Sequence, residues 1–154
     1  MKASILLLPL SAAALTSASV VPSAKRQAPI TISVSYDKNY DVADSSLTTV
    51  SCSDGTNGLL ARGYSTFGSL PSFPNIGGAP TVAGWNDPNC GKCYTLSYAS
   101  SNLEGSVNVL AIDAAPGGFN LGLDAMNTLT GGNAQQLGRV DATYVEADPS
   151  ICGL

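Results

Sequence analysis

Alternating apolar and polar side chains along several short stretches predict a protein built mainly of β-strands. A period of two is typical of a strand that buries one face. The clearest alternation occupies residues 30–36, 92–98 and 139–146. Residues 106–113 form the most apolar run, while residues 46–52 and 81–85 are weaker strand candidates. The pattern therefore predicts about six short strands.

Helical signals are confined to the last third of the chain. Residues 121–130 are predicted as a short helix, with Asn120 as its N-cap and two glycines directly after it. Residues 133–138 predict one further helical turn. Residues 53–91 are rich in Gly, Pro, Asn and Ser, which favour turns. These elements predict a mainly β fold, a six-stranded barrel with one or two short peripheral helices.

The first residues have the three parts of a secretory signal. A lysine at position 2 precedes an apolar run at residues 5–15, and small side chains follow at residues 16–18. The run is too short to span a membrane, which takes about 20 apolar residues. We therefore interpret residues 1–18 as a signal peptide and residues 19–26, which end in a dibasic pair, as a propeptide. Residues 27–154 would then form one exported, extracellular domain.

Charge and composition exclude several functions. The 154 residues contain seven basic and eleven acidic side chains, and the leader holds three of the basic ones (Lys2, Lys25 and Arg26). The mature charge is therefore 4 − 11 = −7, which disfavours nucleic acid and anionic membranes as partners. The chain contains no histidine, so imidazole catalysis and His-ligated metals are excluded. We expect no cofactor and no metal.

Four cysteines in an exported chain predict two disulfides. They are Cys52, Cys90, Cys93 and Cys152. The Cys-Gly-Lys-Cys spacing also occurs in redox and zinc sites. A redox pair needs a thioredoxin-like βαβ context, and a zinc site needs further thiolates or histidines, so the disulfide interpretation is favoured. The spacing alone leaves three pairings open.

Acidic side chains are the only candidates for catalysis. Asp113 ends the apolar strand before a Gly-rich loop, where it would donate a proton, bind a sugar hydroxyl or cap the backbone amides of residues 114–118. Glycosidases need two carboxyl groups, and Asp37 or Asp141 would be the second. Asp124 falls in the first turn of the predicted helix, where it favours the helix dipole. The aspartates interpreted as turn formers are Asp41, Asp44, Asp54, Asp87 and Asp148.

Aromatic rings near these acids are a second signal, because sugars stack their C–H faces on flat rings. Tyr36 ends the first strand, and Trp85 with Asn86 lies in the turn-rich segment. Each ring taken singly is also a candidate for core packing. The combination of rings, amides and carboxylates indicates a carbohydrate-binding surface more than any one of them does.

Seven short blocks, in order, resemble the cerato-platanin family. They are VSYD (34–37), VSCSDG (50–55), FPNIGG (73–78), AGWN (83–86), NCGKCY (89–94), LAID (110–113) and LGRVDA (137–142). The resemblance runs from about residue 31 to the C-terminus. It implies a double-psi β-barrel, similar to the first domain of expansins, secreted by filamentous fungi. It also implies the pairings Cys52–Cys90 and Cys93–Cys152.

The resemblance also implies a function. Family members elicit plant defence, some are allergens, and they bind chitin oligomers and loosen cellulosic walls without hydrolysis. Asp113 matches the aspartate tied to loosening, and Asn120 stands where the expansin domain has a second aspartate. Because an amide supplies no proton, loosening without cutting is the expected outcome.

We therefore predict a secreted, non-catalytic glycan-binding protein that loosens walls and acts as an elicitor. Its expected partners are chitin oligosaccharides or wall polysaccharide and a plant receptor. The candidate binding residues are Tyr36, Asp37, Trp85, Asn86, Asp113, Asn120 and Asp141. The alternatives are a minimal glycoside hydrolase using Asp113 with Asp37 or Asp141, and a surface-active, self-assembling wall protein.

Overall fold

Six strands close into a barrel in the computed structural model, which describes residues 28–154. In chain order they are β1 (Ile30–Tyr36), β2 (Ile76–Ala79), β3 (Cys93–Ala99), β4 (Glu104–Ala114), β5 (Phe119–Leu121) and β6 (Arg139–Ala147). Around the barrel the order is β1-β5-β2-β4-β3-β6. The predicted six-stranded barrel is confirmed. The predicted signal peptide and dibasic site lie outside the described residues.

Parallel and antiparallel pairs alternate irregularly around this barrel. β1 runs parallel to β5 and antiparallel to β6, while β2 lies between β4, to which it is parallel, and the antiparallel β5. β3 is antiparallel to both of its neighbours, β4 and β6. Strands that are distant in sequence therefore become neighbours, which brings loops from several parts of the chain together.

Four of the predicted strands are confirmed and two are wrong. Residues 46–52 hold the short 3-10 helix Leu47–Thr49, because the Ser46 side chain accepts a hydrogen bond from the Thr48 N–H and caps the turn. Residues 81–85 form turns, and the strand of this region is β2. From the sequence alone, the two glycines of β2 suggested a turn. Gly77 is needed because a Cβ there would lie 2.4 Å from the carbonyl oxygen of Asn120.

Two short helices follow the barrel strand β5. They are α1 (Leu123–Thr130) and α2 (Ala134–Leu137), as the sequence predicted in outline. Asp124 lies in the first turn of α1, as expected. The prediction that Asn120 caps α1 is wrong, because Asn120 lies in β5 and the N-cap position belongs to Gly122.

A carboxylate from another part of the chain caps α1 instead. Asp41 accepts hydrogen bonds from the backbone N–H groups of Leu123 at 2.7 Å and Asp124 at 3.1 Å. Gly122 leaves room for this contact, since a Cβ there would lie 2.6 Å from Asp41 Oδ1. Asp41, interpreted as a turn former, therefore fixes a helix about 80 residues away in sequence.

The barrel interior holds a cluster of aromatic rings within an aliphatic core. Tyr94, Phe119 and Tyr144 meet edge to face, with ring centroids 5.1–5.8 Å apart. Edge-to-face packing adds to the stability that burial of the rings provides. The fully buried aliphatic side chains include Val34, Ile76, Leu96, Leu110, Ile112, Leu121 and Met126.

Both disulfides form with the predicted pairing, Cys52–Cys90 and Cys93–Cys152. The first joins the two ends of the turn-rich segment, which contains the 3-10 helices Leu60–Arg62 and Phe67–Ser69. The second ties β3 to the C-terminal 3-10 helix Pro149–Cys152. Among residues 28–154, no helix combines the length and apolar character that crossing a bilayer requires.

We predict that Asp41→Ala lowers the free energy of unfolding by about 1–2 kcal/mol, because two N–H groups of α1 lose their acceptor. The midpoint of thermal unfolding should fall by roughly 3–8 °C, measured by circular dichroism. Asp44→Ala is the matched control, since Asp44 is exposed and caps no helix. Equal melting temperatures for the two variants would show that the cap contributes little.

Candidate functional site

Asp113 lies at the end of β4 and accepts four hydrogen bonds. Its Oδ1 atom accepts from the Ser51 N–H at 2.9 Å, the Ser51 hydroxyl at 2.7 Å and the Ala114 N–H at 2.8 Å. Its Oδ2 atom accepts only from the Tyr40 hydroxyl, at 3.0 Å. Asp113 thus caps a backbone amide, as one interpretation of the sequence held, and it also ties two distant loops to the barrel. Oδ2 retains capacity for a further donor.

Tyr40 is a structural partner of this carboxylate. Its ring is buried against Phe67, and burial together with the charge of Asp113 raises the pKa of the Tyr40 phenol far above its usual value. The hydroxyl therefore stays protonated at neutral pH and donates to Asp113.

Asp37 and Asp113 line the same open groove, which has a volume of about 340 Å³. Asn39, Ser45 and Thr49 contribute the other polar side chains of its wall. Asp37 caps the 3-10 helix Lys38–Asp41 by accepting a hydrogen bond from the Asn39 N–H at 2.9 Å. Two of the predicted acids thus share a groove, and each already accepts hydrogen bonds from the protein.

Asp113 also belongs to a row of residues in register across the barrel. Gly78 of β2 pairs with Asp113 on one side and with Asn120 on the other. Asn120 pairs with Ser35 of β1, which donates a hydrogen bond to the Asn120 side chain at 3.1 Å, and Ser35 pairs with Arg139. Since neighbouring strands lie about 4.8 Å apart, the row is roughly 19 Å long when followed around the barrel wall, where it crosses five of the six strands. Gly78 contributes no side chain, and the Cβ of Ala115 lies over it, so Gly78 is buried between Asp113 and Asn120.

A second groove, of about 410 Å³, lies at the far end of this row. Tyr36 and Asn120 line it together with Arg139 and the loop 115–118. The predicted candidates Tyr36 and Asn120 therefore share one groove, next to the one that holds Asp37 and Asp113.

Trp85 and Asn86 stand on a loop that is braced on several sides. Trp85 is 64% exposed, and its indole N–H donates to the Asp54 carboxylate. Asn86 has a positive φ of 58°, and its side chain accepts a hydrogen bond from the Asn57 N–H at 2.9 Å. The only tryptophan is thus held outward in a fixed position.

Two further contacts complete the bracing of this loop. The Asn86 N–H donates to the Ser51 carbonyl at 3.3 Å, so Ser51 links the loop to Asp113. Asp87 accepts hydrogen bonds from the N–H groups of Asn89 and Ala83, which keep the pKa of its exposed carboxyl below the usual value. The turn-forming role predicted for Asp87 matches these contacts.

Asp141 does not join the other candidates. It points outward from β6, between the buried residues Val140 and Ala142, and lines a different groove with Tyr98 and Glu104. Of the two acids considered as partners for Asp113, only Asp37 shares its groove. Within residues 28–154, no group of three or more His, Cys, Asp or Glu side chains forms a site for a metal ion.

Sequence reasoning missed Ser51 and underrated Tyr40, the two residues that hold Asp113. A serine next to a cysteine carries no pattern that would indicate a carboxylate partner 62 residues away. Six aromatic residues were candidates for stacking on a sugar, and no signal in the sequence distinguished Tyr40 among them: Tyr36, Tyr40, Tyr64, Trp85, Tyr94 and Phe119.

Comparison with known proteins gives the family. The cerato-platanin family model matches residues 32–154, which is most of the chain and includes every described candidate residue. The chain belongs to the cerato-platanin family. "Allergen Asp f 15" from Aspergillus fumigatus is 58% identical over 123 residues, which cover 80% of this chain and 78% of that protein.

Solved structures of family members have the same fold. The crystal structure of cerato-platanin 1 from M. perniciosa has a TM-score of 0.76 at 46% identity, covering 79% of this chain and 98% of that one. The solution structure of the fungal elicitor cerato-platanin has a TM-score of 0.69 at 42% identity, covering 79% of this chain and 96% of that one. The barrel described above is therefore the cerato-platanin barrel.

We predict that this protein loses stability at high pH through Tyr40. In the unfolded chain a tyrosine ionises near pH 10, whereas folded Tyr40 keeps its proton because its pKa is raised. The stabilising contribution is complete below about pH 10 and is lost as the pH rises above that value. Tyr40→Phe should cost about 1 kcal/mol at neutral pH but weaken the decline above about pH 10, measured by urea unfolding. If the free energy of unfolding fell equally with rising pH in Tyr40→Phe and in the unmodified protein, this role of Tyr40 would be contradicted.

Proposed function

We propose that this protein is a secreted, non-catalytic glycan-binding protein that loosens wall polysaccharide and acts as an elicitor of plant defence. The observation that carries the proposal is the register row from Asp113 to Arg139, with the exposed Trp85 ring on a loop joined to it through Ser51. The hydrogen-bonding groups of this row lie in two grooves, one with Asp113 and one with Asn120, and together with a flat ring they suit a neutral sugar chain.

Trp85 supplies the stacking surface. An exposed indole usually loses side-chain entropy when a ligand stacks on it. The hydrogen bond to Asp54 and the braced backbone of the loop reduce that loss, because the ring is already oriented. A preorganised ring on an otherwise polar surface supports a binding role for this loop.

Asp113, Asn120 and Ser35 supply the polar contacts. Asp113 Oδ2 accepts one hydrogen bond from the protein and has room to accept another from a sugar hydroxyl. The Asn120 side chain accepts from Ser35 through its oxygen, which leaves the amide N–H₂ free to donate. These groups would compete with the hydrogen bonds that hold neighbouring glycan chains together.

The contacts of the two acids support binding without hydrolysis. Asp37 and Asp113 share a groove, but every hydrogen bond that their carboxylates make with the protein has the carboxylate as acceptor. A proton on Asp113 Oδ1 would compete with three donors. Hydrolysis needs one acid that delivers a proton and a second carboxylate with freedom to act, and this arrangement favours neither.

Secretion and elicitation rest on the leader and on the relatives. The two disulfides fit an oxidising compartment, in agreement with the signal peptide predicted from the sequence. One structural relative is described as a fungal elicitor, and a sequence relative as an allergen. Both descriptions suit a protein that reaches a host.

One rival function has an observation in its favour. Asp37 and Asp113 line one groove, so a minimal glycoside hydrolase would use this pair, and the version with Asp141 has no such support. The surface-active, self-assembling alternative has less structural support, because the exposed large apolar side chains belong to separate segments of the described chain.

We predict that Trp85→Ala weakens binding of a four-sugar chitin oligomer by about tenfold, equivalent to about 1.4 kcal/mol, because the stacking surface is lost. Trp85→Phe is the matched variant, because it keeps an aromatic ring but loses the hydrogen bond to Asp54. Its affinity for the oligomer should lie between those of the unmodified protein and Trp85→Ala. Calorimetric titration measures the affinities, and no saturable binding by the unmodified protein would refute the proposal.

We predict no release of reducing ends from chitin or cellulose by the unmodified protein.

Asp113→Asn should retain a normal melting temperature, because its amide oxygen still accepts from Ser51, yet reduce wall loosening measured by extension of cellulose sheets. Asp113→Ala serves as the structural comparison and should cost about 2–4 kcal/mol of stability, since Ser51 and Tyr40 lose their acceptor. Reducing-end release that disappears in both Asp37→Asn and Asp113→Asn would establish the hydrolase instead.

A further inference from the structure

A third groove, of about 550 Å³, lies on the outer face of four neighbouring strands, β1, β6, β3 and β4. Its floor is a row of hydroxyl side chains, one from each strand, paired in register. They are Thr31, Thr143, Ser97 and Ser106. The strands that carry the row are about 4.8 Å apart, and the Ser97 and Ser106 hydroxyls approach each other to 3.4 Å. No residue of this row belongs to the candidate site described above.

The rim of the groove adds a ring and two carboxylates. Tyr98 and Glu104 lie on the hairpin of β3 and β4, and Asp141 projects from β6. In the described part of the chain, neither carboxylate has an ion-pair or hydrogen-bond partner. No lysine or arginine lines the groove. Free acceptors, hydroxyls and a ring without a cation fit a neutral ligand with many hydroxyl donors, and they disfavour an anionic one.

The hydroxyls retain hydrogen-bonding capacity toward such a ligand. Ser106 donates to the Leu96 carbonyl at 2.8 Å, which leaves its oxygen free to accept. Thr143 makes only a long contact of 3.4 Å to the Ser97 carbonyl. The row is therefore a surface of weakly used donors and acceptors.

This groove lies beside the Asp113 row and is separate from it. Thr31 and Ser35 point outward from the same strand, four residues apart, which separates the hydroxyl row from the Asp113 row by about 13 Å. Arg139 belongs to the Asp113 row, and its side chain extends toward the hydroxyl row and donates to Ser33 at 2.8 Å. The two surfaces are thus neighbours without being one continuous groove.

We propose that this hydroxyl-lined groove is a second contact surface for neutral polysaccharide, so that one molecule holds two glycan chains or two segments of one chain. The inference rests on the proposed function for the class of ligand, but its residues are separate. Two weak sites on one rigid barrel would raise retention on an insoluble polymer far more than affinity for a short oligomer.

The test places a lysine in the groove and compares it with a lysine beside it. Ser97→Lys fills the middle of the row at an exposed strand position. Thr95→Lys is the matched control, on the same strand with the same change of charge, and Thr95 does not line the groove. Circular dichroism and melting temperature check that both variants fold.

Two readouts separate the second surface from the first. We expect Ser97→Lys to reduce retention on insoluble chitin by about tenfold while Thr95→Lys has little effect. The fluorescence change of Trp85 on titration with the four-sugar chitin oligomer should be the same in both variants. In the unmodified protein, amide NMR shifts on titration should appear at Thr31, Ser97 and Thr143 as a second set, absent in Ser97→Lys.

Three outcomes would overturn the inference. Equal retention of the two variants, or oligomer shifts confined to the Asp113 row, would show that the groove does not bind glycan. Shifts at Glu104 and Asp141 produced by Ca²⁺ alone, with none from the oligomer, would identify a cation site instead. Binding of the unmodified protein to neither polymer nor oligomer would reject the proposed function along with it.

Discussion

The barrel depends on the close insertion of β2 between β4 and β5. Gly77 passes so near the backbone of Asn120 that no side chain fits there, and Gly78 pairs with a candidate site residue on each side. If β2 could not take this place, Asp113 and Asn120 would have no common neighbour to hold them in register. The same absence of a side chain at Gly78 leaves room for Ala115, which lines the groove that holds Asn120. Closure of the fold and the shape of the site are thus one constraint.

Asp113 shows why structural and functional roles are hard to separate here. Its Oδ1 atom is occupied by protein donors that fix Ser51 and the end of β4, while Oδ2 faces only Tyr40. Through Ser51 the same carboxylate is connected to the loop that carries Trp85. Removing it would disturb the positions of the other contacts as well as its own. Substitutions that preserve its shape are therefore more informative than truncations.

Much of the fold could be predicted from the sequence, and the errors have physical causes. The long alternating strands were recognised because burial of one face leaves a period of two, as in residues 30–36 and 139–146. β2 was missed because its glycines resemble a turn, although close packing requires them. Residues 46–52 have strand-like composition, but the Ser46 cap makes a 3-10 turn there.

Contacts between distant residues could not be predicted in the same way. Sequence patterns indicate which face of an element is buried, but not which distant side chain accepts its hydrogen bonds. Asp41 capping α1 and Ser51 holding Asp113 are both contacts of this kind. The disulfide pairing was available from the family resemblance alone, since spacing left three possibilities.

Closure of the barrel has a consequence for how copies of this protein could associate. Each of the six strands has a neighbour on both sides, so no described strand presents a complete free edge to which a second copy could add a strand. Only parts of strands have a strand partner on one side alone, such as the start of β1, which meets β5 only from Val34 onward. Films or fibres built by this domain in its folded form would therefore be assembled mainly through side chains. Their cohesion would then depend on surface composition, and a few exposed residues would control it.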